Sequence, residues 1–190
     1  YRNNGESGRV HIFQASIYEI PLKKESFDRI FCMGVLQYCP DVHSAFMSLV
    51  PFLKPGGEIV VDCYEKHKGP IPPLKYWVRP MLTWMGPRGV HRFLSWTVPT
   101  AFYLKKALYK IPWIGKAIGN LIPIGPISHA PKLIFTDKEL IQVKINSALG
   151  WYSPACDNPQ TKETIRQWFS EAGLADVYIG NGFNGINARG

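Results

Sequence analysis

The sequence predicts an α/β protein built around a parallel sheet. Residues 29–33 and 58–64 are two strongly apolar runs, and between them apolar side chains recur at helical spacing from position 42 to position 53. Runs that are apolar on both faces are typical of parallel strands covered by helices on each side. The order strand, helix, strand therefore indicates one βαβ unit.

The limits of these elements are marked by capping and turn residues. Asp41 is of a type that begins helices, and Pro51 should end or kink the helix that follows. Residues 55–57, Pro-Gly-Gly, should turn the chain into the second apolar run. Residues 10–16 are predicted as an additional, earlier strand.

A further helix and a hairpin are predicted at the end of the chain. Thr161 is the expected N-cap and Gly173 the expected stop signal. Residues 177–180 and 185–189 are short enough and close enough to pair as an antiparallel hairpin. The apolar stripe of the helix consists of Ile165, Trp168, Phe169 and Ala172.

The middle of the chain has a different pattern, which indicates a helical insertion. Prolines recur every few residues, and the amphipathic stretches between them are 74–85, 90–96 and 101–109. Residues 65–135 contain 11 Lys and Arg but one acid, together with four of the six tryptophans. We therefore predict three parts: a core at 1–65, a basic aromatic cap at 66–135, and a return to the core at 136–190.

Composition sets further limits. A chain of 190 residues with 46% hydrophobic content is long enough for one domain with an insertion. The four cysteines show no paired spacing, which favours reduced thiols and the cytosol. The histidines show no metal-binding spacing, so no metal is expected. Residues 117–131 are interrupted by prolines and are too short to span a membrane. Since the chain begins at Tyr1, without a signal peptide, we expect that a preceding piece is missing.

Four segments resemble, in order, the third to sixth strand regions of class I S-adenosylmethionine-dependent methyltransferases: QASIYEIPL, SFDRIFCMGVLQYCPD, LKPGGEIVVDCY and TKETIRQWFSEAGLADVYI. The resemblance covers residues 10–64 and 158–190. It implies a Rossmann-like sheet, incomplete at the N-terminus, with a helical cap insertion and a C-terminal antiparallel hairpin. The family's glycine-rich cofactor loop would precede Tyr1. We therefore expect this chain alone to fold poorly and to bind cofactor weakly.

The resemblance also implies S-adenosylmethionine as cofactor and assigns residues to it. The residues expected at the methionine end of the cofactor are Met33, Gly34, Val35 and Leu36. Those expected beside its adenine are Ala15, Ser16 and Ile17. Ser16 stands where the family typically has an acid, and Gly150 stands where members with a similar cap often have one.

The candidate catalytic residues are Gln37, Tyr38, Asp62 and Tyr64. Methyl transfer is an in-line displacement, so alignment of the reactants is the main requirement, and a base is needed only for a protonated nucleophile. Asp62 and Tyr64 end a parallel strand, at the edge where α/β sheets bind ligands; a hydrogen bond to a neighbouring loop is the simpler interpretation. Gln37 and Tyr38 either line the pocket or pack the loop. His43 is either catalytic or a solvated helix residue.

The roles of Trp151, Tyr152 and the basic cap remain open. Trp151 and Tyr152 either close the substrate site or form a packed corner. The basic cap has three interpretations. It is a lid whose tryptophans pack inward, or a surface that attracts an anionic substrate or a membrane. The third is a nucleic-acid surface, although the cap contains no recognisable nucleic-acid-binding motif. We expect the partners to be a small-molecule or lipid-linked acceptor and an anionic membrane surface, and we expect no nucleic acid. The expected location is the cytoplasm, including peripheral attachment to the membrane.

The leading functional hypothesis is an S-adenosylmethionine-dependent methyltransferase that acts on a small-molecule, sugar or lipid-linked acceptor. The alternative from another class is a catalytically inactive, methyltransferase-like binding or scaffold protein, which Ser16 and Gly150 favour. A nucleotide-dependent oxidoreductase is disfavoured, because a terminal helix followed by a short hairpin is the ending that resembles the methyltransferases.

Overall fold

The computed structural model describes residues 10–67, 69, 74–111, 115, 118, 136–182 and 185–190. The chain divides into two compact units, one made of Tyr1–His67 and Cys156–Gly190 and the other of Lys68–Ala155. The first unit contains the sheet, and the described part of the second is helical. The boundaries predicted at 65/66 and 135/136 stay predictions.

The described residues of the first unit form a four-stranded sheet with the order β1-β2-β4-β3. Strands β1 (Phe27–Cys32) and β2 (Leu53–Cys63) are parallel. Strands β3 (Tyr178–Gly182) and β4 (Gly185–Arg189) form an antiparallel hairpin, and β4 also pairs antiparallel with β2. The predicted α/β class is confirmed, and the sheet is that of an incomplete Rossmann-like fold.

Helix α1 (Val42–Leu49) connects the two parallel strands, as predicted. The Asp41 side chain caps it by accepting a hydrogen bond from the Ser44 N–H at 3.0 Å. Pro51 lies in the 3₁₀ turn Val50–Phe52 that ends the helix. The apolar face of α1 is buried against the sheet and consists of Val42, Ala45, Phe46 and Leu49.

The terminal helix of the first unit also follows its sequence signals. The Thr161 side chain caps it and accepts from the Thr164 N–H at 3.2 Å. Gly173 has φ +68°, a left-handed conformation that favours glycine and ends the helix. Ile165, Trp168 and Phe169 are buried in the same core as α1.

Three sequence predictions about the sheet are wrong. Residues 10–15 have no strand structure, because a strand requires a neighbour to pair with and no described strand lies beside them. Strand β1, at the edge of the described sheet, is not covered on both faces, since Phe31 is 65% exposed. The Pro-Gly-Gly sequence at 55–57 lies within β2, where the register with β1 shifts, and Gly56 has φ +74°.

The described part of the second unit contains the helices α2 (Leu74–Trp84), α3 (Gly86–Leu108) and α4 (Asp137–Tyr152). Helix α5, described above as the terminal helix, spans Lys162–Glu171 in the first unit. Helix α3 continues through Pro99, so the separate helices predicted at 90–96 and 101–109 are one. Proline removes one backbone hydrogen bond, but Val98 and Phe102 on either side are both buried and keep the helix packed.

The tryptophans of the cap do not pack inward where the structure describes them, which contradicts the simplest interpretation of the cap. Trp77, Trp84 and Trp96 are 67%, 89% and 83% exposed. The hydrophobic cluster described in this unit contains no tryptophan, and its buried members are Leu82, Val90, Leu94, Val98, Ile145 and Tyr152. In the described part of the chain, no helix combines the length and apolarity that a membrane crossing requires.

Thiol reactivity provides a test of the core of the first unit. Burial raises the pKa of Cys32 to about 11 and that of Cys63 to about 12, with the Asp62 carboxylate adding repulsion of a thiolate in both cases. Burial also raises the pKa of Cys39. Because the thiolate is the reactive form, these three thiols should react slowly at pH 8, and partly exposed Cys156 should react first.

A disulfide exchange reagent should therefore detect one fast thiol per chain in the folded protein and all four in urea. Replacement of Cys156 by Ser should remove the fast phase. Any thiol that still reacts fast in that variant would contradict the described core, because Cys32, Cys39 and Cys63 are buried in it.

Candidate functional site

The candidate site lies where the parallel strands β1 and β2 end. Their carboxyl ends meet at one edge of the sheet, the edge at which open α/β sheets bind ligands. Strand β1 is followed by residues 33–35 and the 3₁₀ turn Leu36–Tyr38, and β2 is followed by Tyr64. This edge brings together six consecutive residues, 33–38, with Asp62 and Tyr64.

Asp62 connects the two strand ends. It is 4% exposed, and its carboxylate accepts a hydrogen bond from the Gly34 N–H. Gly34 has φ +70°, a conformation that favours glycine. Asp62 therefore forms a hydrogen bond from the end of its strand to a neighbouring loop, which is the simpler of the two interpretations given for it above. This bond fixes the first turn after β1.

Tyr38 and Tyr64 form a second contact between the two strand ends. Their hydroxyl oxygens are 2.7 Å apart, and their rings lie edge to face at an angle of 87° with centroids 5.8 Å apart. A tyrosine hydroxyl can donate one hydrogen bond and accept others. The pair can therefore hold a polar group of a ligand by donating a hydrogen bond to it or accepting one from it.

Gln37 carries the most unusual polar group of the site. It is 0% exposed, and neither its amide nitrogen nor its amide oxygen has a hydrogen-bond partner. A buried polar group without a partner costs about 1–3 kcal/mol. Such groups are uncommon and are found where a ligand or water completes the bonding. Because the amide is closed off from solvent, a ligand can reach it only if the surrounding loop moves.

The residues predicted around the cofactor occupy different environments. Met33 and Val35 are 48% and 45% exposed, whereas Leu36 is fully buried in the core. Ala15 and Ser16 are exposed in a segment without a strand, where Ser16 forms an isolated bridge with Glu19. The predicted adenine residues are therefore not at a strand end.

Ile17 packs against the core next to α1. Its carbonyl accepts a hydrogen bond of 2.6 Å from the Ser48 hydroxyl. Tyr18 also lies against the start of α1, where its hydroxyl donates to the Asp41 carbonyl at 2.9 Å. The structure therefore places residues 15–18 alongside α1.

The remaining candidates lie elsewhere. Trp151 and Tyr152 end α4 in the second unit, where Tyr152 is buried in the core and Trp151 is 40% exposed. His43 is 2.8 Å from the Glu171 carboxylate and connects α1 to α5. Among the residues that the structure describes, no group of three His, Cys, Asp or Glu side chains is arranged to hold a metal ion.

A cavity of about 880 Å³ lies at the opposite edge of the sheet, by the amino-terminal ends of β1 and β2. Asp28 and Lys54 in its wall form an ion pair of 2.9 Å, and the hydrogen bond from Lys54 lowers the pKa of the Asp28 carboxyl. No residue predicted for the site lines this cavity. Because ligands of open α/β sheets bind at the carboxyl edge, the candidate site remains there.

Sequence reasoning did not predict the contacts of the segment 156–160, which reaches both strand ends. Asn158 bonds to the loop after β1, and Gln160 bonds to the backbone after β2. The only local signal is a pair of amide side chains just before the Thr161 cap. This signal does not identify partners that are about one hundred residues away in the sequence.

The comparisons with known proteins concern mainly the first part of the chain. Residues 1–61 match a family model described as a methyltransferase domain. A tRNA U34 carboxymethyltransferase of Chromohalobacter salexigens is 37% identical over 59 residues, which cover 31% of this chain and 18% of that protein. The ubiquinone/menaquinone biosynthesis C-methyltransferase UbiE of Vibrio campbellii is 37% identical over 65 residues, 34% of this chain and 25% of that protein.

This chain thus spans a quarter or less of the length of these two curated relatives. Among solved structures, the YcgJ protein of Bacillus subtilis aligns with 40% of this chain and 31% of its own at 25% identity, with a TM-score of 0.30. The expectation that nucleic acid is not a partner is wrong, because three of the matched relatives are named as tRNA U34 carboxymethyltransferases.

Proposed function

We propose that this protein uses S-adenosylmethionine to methylate an acceptor, because its residues 1–61 match a family model described as a methyltransferase domain. One structural observation supports the proposal above the others. The parallel strands β1 and β2 bring residues 33–38 against Asp62 and Tyr64 at the edge of the sheet where such folds bind their ligands.

The residues of this edge suit the methionine end of the cofactor. Asp62 fixes the turn at Gly34, so the backbone after β1 has a defined position. Met33 and Val35 present exposed apolar side chains, which can exclude water from a bound sulfonium group. The unpartnered amide of Gln37 offers both a donor and an acceptor to a ligand once the loop that encloses it moves. S-adenosylmethionine would supply the activated methyl group.

The chemistry required of the chain is mainly alignment. The cofactor would supply the methyl group for an in-line displacement and would leave as S-adenosylhomocysteine, so the chain has to hold the acceptor's nucleophile in line with the bond from the methyl carbon to sulfur. The Tyr38–Tyr64 hydroxyl pair can orient the nucleophile and accept a hydrogen bond from its proton. Asp62 is occupied with the Gly34 N–H, so we assign it to positioning the loop.

The acceptor we favour is a small-molecule, sugar or lipid-linked nucleophile. An RNA acceptor is the second candidate. The names of the three tRNA enzymes among the relatives support it, and so does the absence of any acid between Lys66 and Thr136, since phosphates attract basic surfaces.

The test of this proposal uses the protein expressed from its complete reading frame. Calorimetric titration should detect S-adenosylmethionine binding at micromolar concentration. Label from methyl-tritiated cofactor, incubated with a cell extract, should then enter the organic-soluble fraction for a small or lipid-linked acceptor, or an RNase-sensitive fraction for RNA. Replacement of Tyr64 by Phe removes one hydroxyl of the pair and should slow transfer by about 10- to 100-fold.

Tyr178→Phe is the matched control, because Tyr178 is an exposed tyrosine of the same sheet, and its rate should equal that of the unmodified protein. No detectable binding of cofactor by the complete protein would instead favour the scaffold alternative.

A further inference from the structure

The segment 156–160 is bonded to the loop after β1 through one residue, Asn158. Its backbone N–H donates to the Gln37 carbonyl at 2.8 Å. Its side-chain nitrogen donates to the Cys39 carbonyl at 2.9 Å and lies 3.4 Å from the Pro40 carbonyl. One asparagine therefore holds the backbone on both sides of Tyr38.

The same segment is also bonded to the chain after β2. The Gln160 N–H donates to the Tyr64 carbonyl at 2.8 Å, and the Lys66 N–H donates to the Gln160 carbonyl at 2.8 Å. The Gln160 side chain in turn donates to the Asn158 carbonyl at 2.9 Å. The segment thus bridges the two strand ends, and the loops that carry Tyr38 and Tyr64 cannot separate without breaking these bonds.

Gln37 connects this bridge to the candidate ligand site. Its side chain is closed off from solvent and has no partner, while its carbonyl accepts from Asn158. The hydrogen bond from Asn158 therefore helps to fix the loop backbone, and with it the position of the Gln37 amide.

We propose that Asn158 is a positioning residue that sets the loop 33–40 against the methionine end of the cofactor. The inference rests on the proposed function. The hydrogen-bond donor of the Asn158 side chain is the essential group, because it faces two carbonyl oxygens. The effect should fall on the amino-acid half of the cofactor and spare the adenosine half.

The experiment compares two ligands on one protein, made from the complete reading frame. S-adenosylhomocysteine contains the amino-acid half, and 5′-methylthioadenosine lacks it. Asn158→Asp keeps the shape of the side chain but turns an acceptor toward the Cys39 and Pro40 carbonyls. We expect the dissociation constant for S-adenosylhomocysteine to rise about 10- to 30-fold and that for methylthioadenosine to change less than twofold, each measured by calorimetry.

Asn146→Asp is the matched control, because Asn146 is an asparagine on the exposed face of α4, and neither constant should change. Asn158→Ala removes the donor without placing a carboxylate against the carbonyls, so it should show a smaller rise with the same selectivity even if the Asp variant does not fold. An equal loss for both ligands, or no loss in either folded variant, would overturn the positioning role. Failure of the unmodified protein to bind either ligand would overturn the proposed function, and this inference with it.

Discussion

Replacing Asp62 with Ala should weaken S-adenosylmethionine binding by about 10- to 100-fold. The carboxylate is 4% exposed and accepts the Gly34 N–H, and hydrogen bonds to a charged group are worth about 1.5–3 kcal/mol. Its removal leaves the Gly34 N–H without that acceptor and releases the turn that begins the cofactor loop. Calorimetric titration of the complete protein with S-adenosylmethionine measures the effect.

Asp62→Asn separates charge from geometry. An amide oxygen can still accept the Gly34 N–H, although more weakly than a carboxylate, so the affinity of this variant should lie between those of the Ala variant and the unmodified protein. Asp28→Asn is the matched control. Asp28 lies near the opposite end of β1 and pairs with Lys54 on an exposed surface, where ion pairs contribute little.

The role assigned to Asp62 would be contradicted if the Ala variant bound cofactor as tightly as the unmodified protein. It would also be contradicted if Asp28→Asn lost as much affinity as Asp62→Ala.

Asp62 illustrates which parts of the site the sequence can predict. Its place at the end of a buried strand follows from the apolar pattern of residues 58–64, and the α/β class follows from the same pattern. Caps are predictable for a similar reason: the Asp41 side chain bonds to Ser44, only three residues away. Local signals of this kind correctly predicted α1, α5 and the terminal hairpin.

Contacts between distant residues were not predictable. Asn158 and Cys39 are 119 positions apart, and nothing in the sequence around either residue names the other. Residues 10–16 have the composition of a strand but lack a described neighbour to pair with, so propensity alone was misleading. The exposure of the tryptophans was also not predictable from the local sequence. Trp77 and Trp84 lie on the face of α2 opposite the buried Leu82, and because α2 has apolar residues on both faces, hydrophobicity alone does not indicate which of them is buried.

Replacing Phe46 with Ala should lower the free energy of unfolding of the first unit by about 3–5 kcal/mol. Phe46 is fully buried on α1, and its ring stacks on Phe169 at 5.0 Å and on Trp168 at 6.0 Å. Both partners belong to α5, so the truncated side chain leaves a cavity between the two helices and removes their aromatic contacts. A loss of this size is a large share of the 5–15 kcal/mol that typically stabilises a domain.

Urea unfolding followed by circular dichroism measures this loss as a decrease in the midpoint at constant slope. Phe46→Leu keeps most of the apolar volume and should lose less than half as much. Tyr178→Ala removes an aromatic ring that is 59% exposed on β3, and its loss should stay within about 1 kcal/mol. A midpoint for Phe46→Ala equal to that of Tyr178→Ala would contradict the packing of α1 on α5, because equal losses mean that the buried and the exposed ring contribute alike.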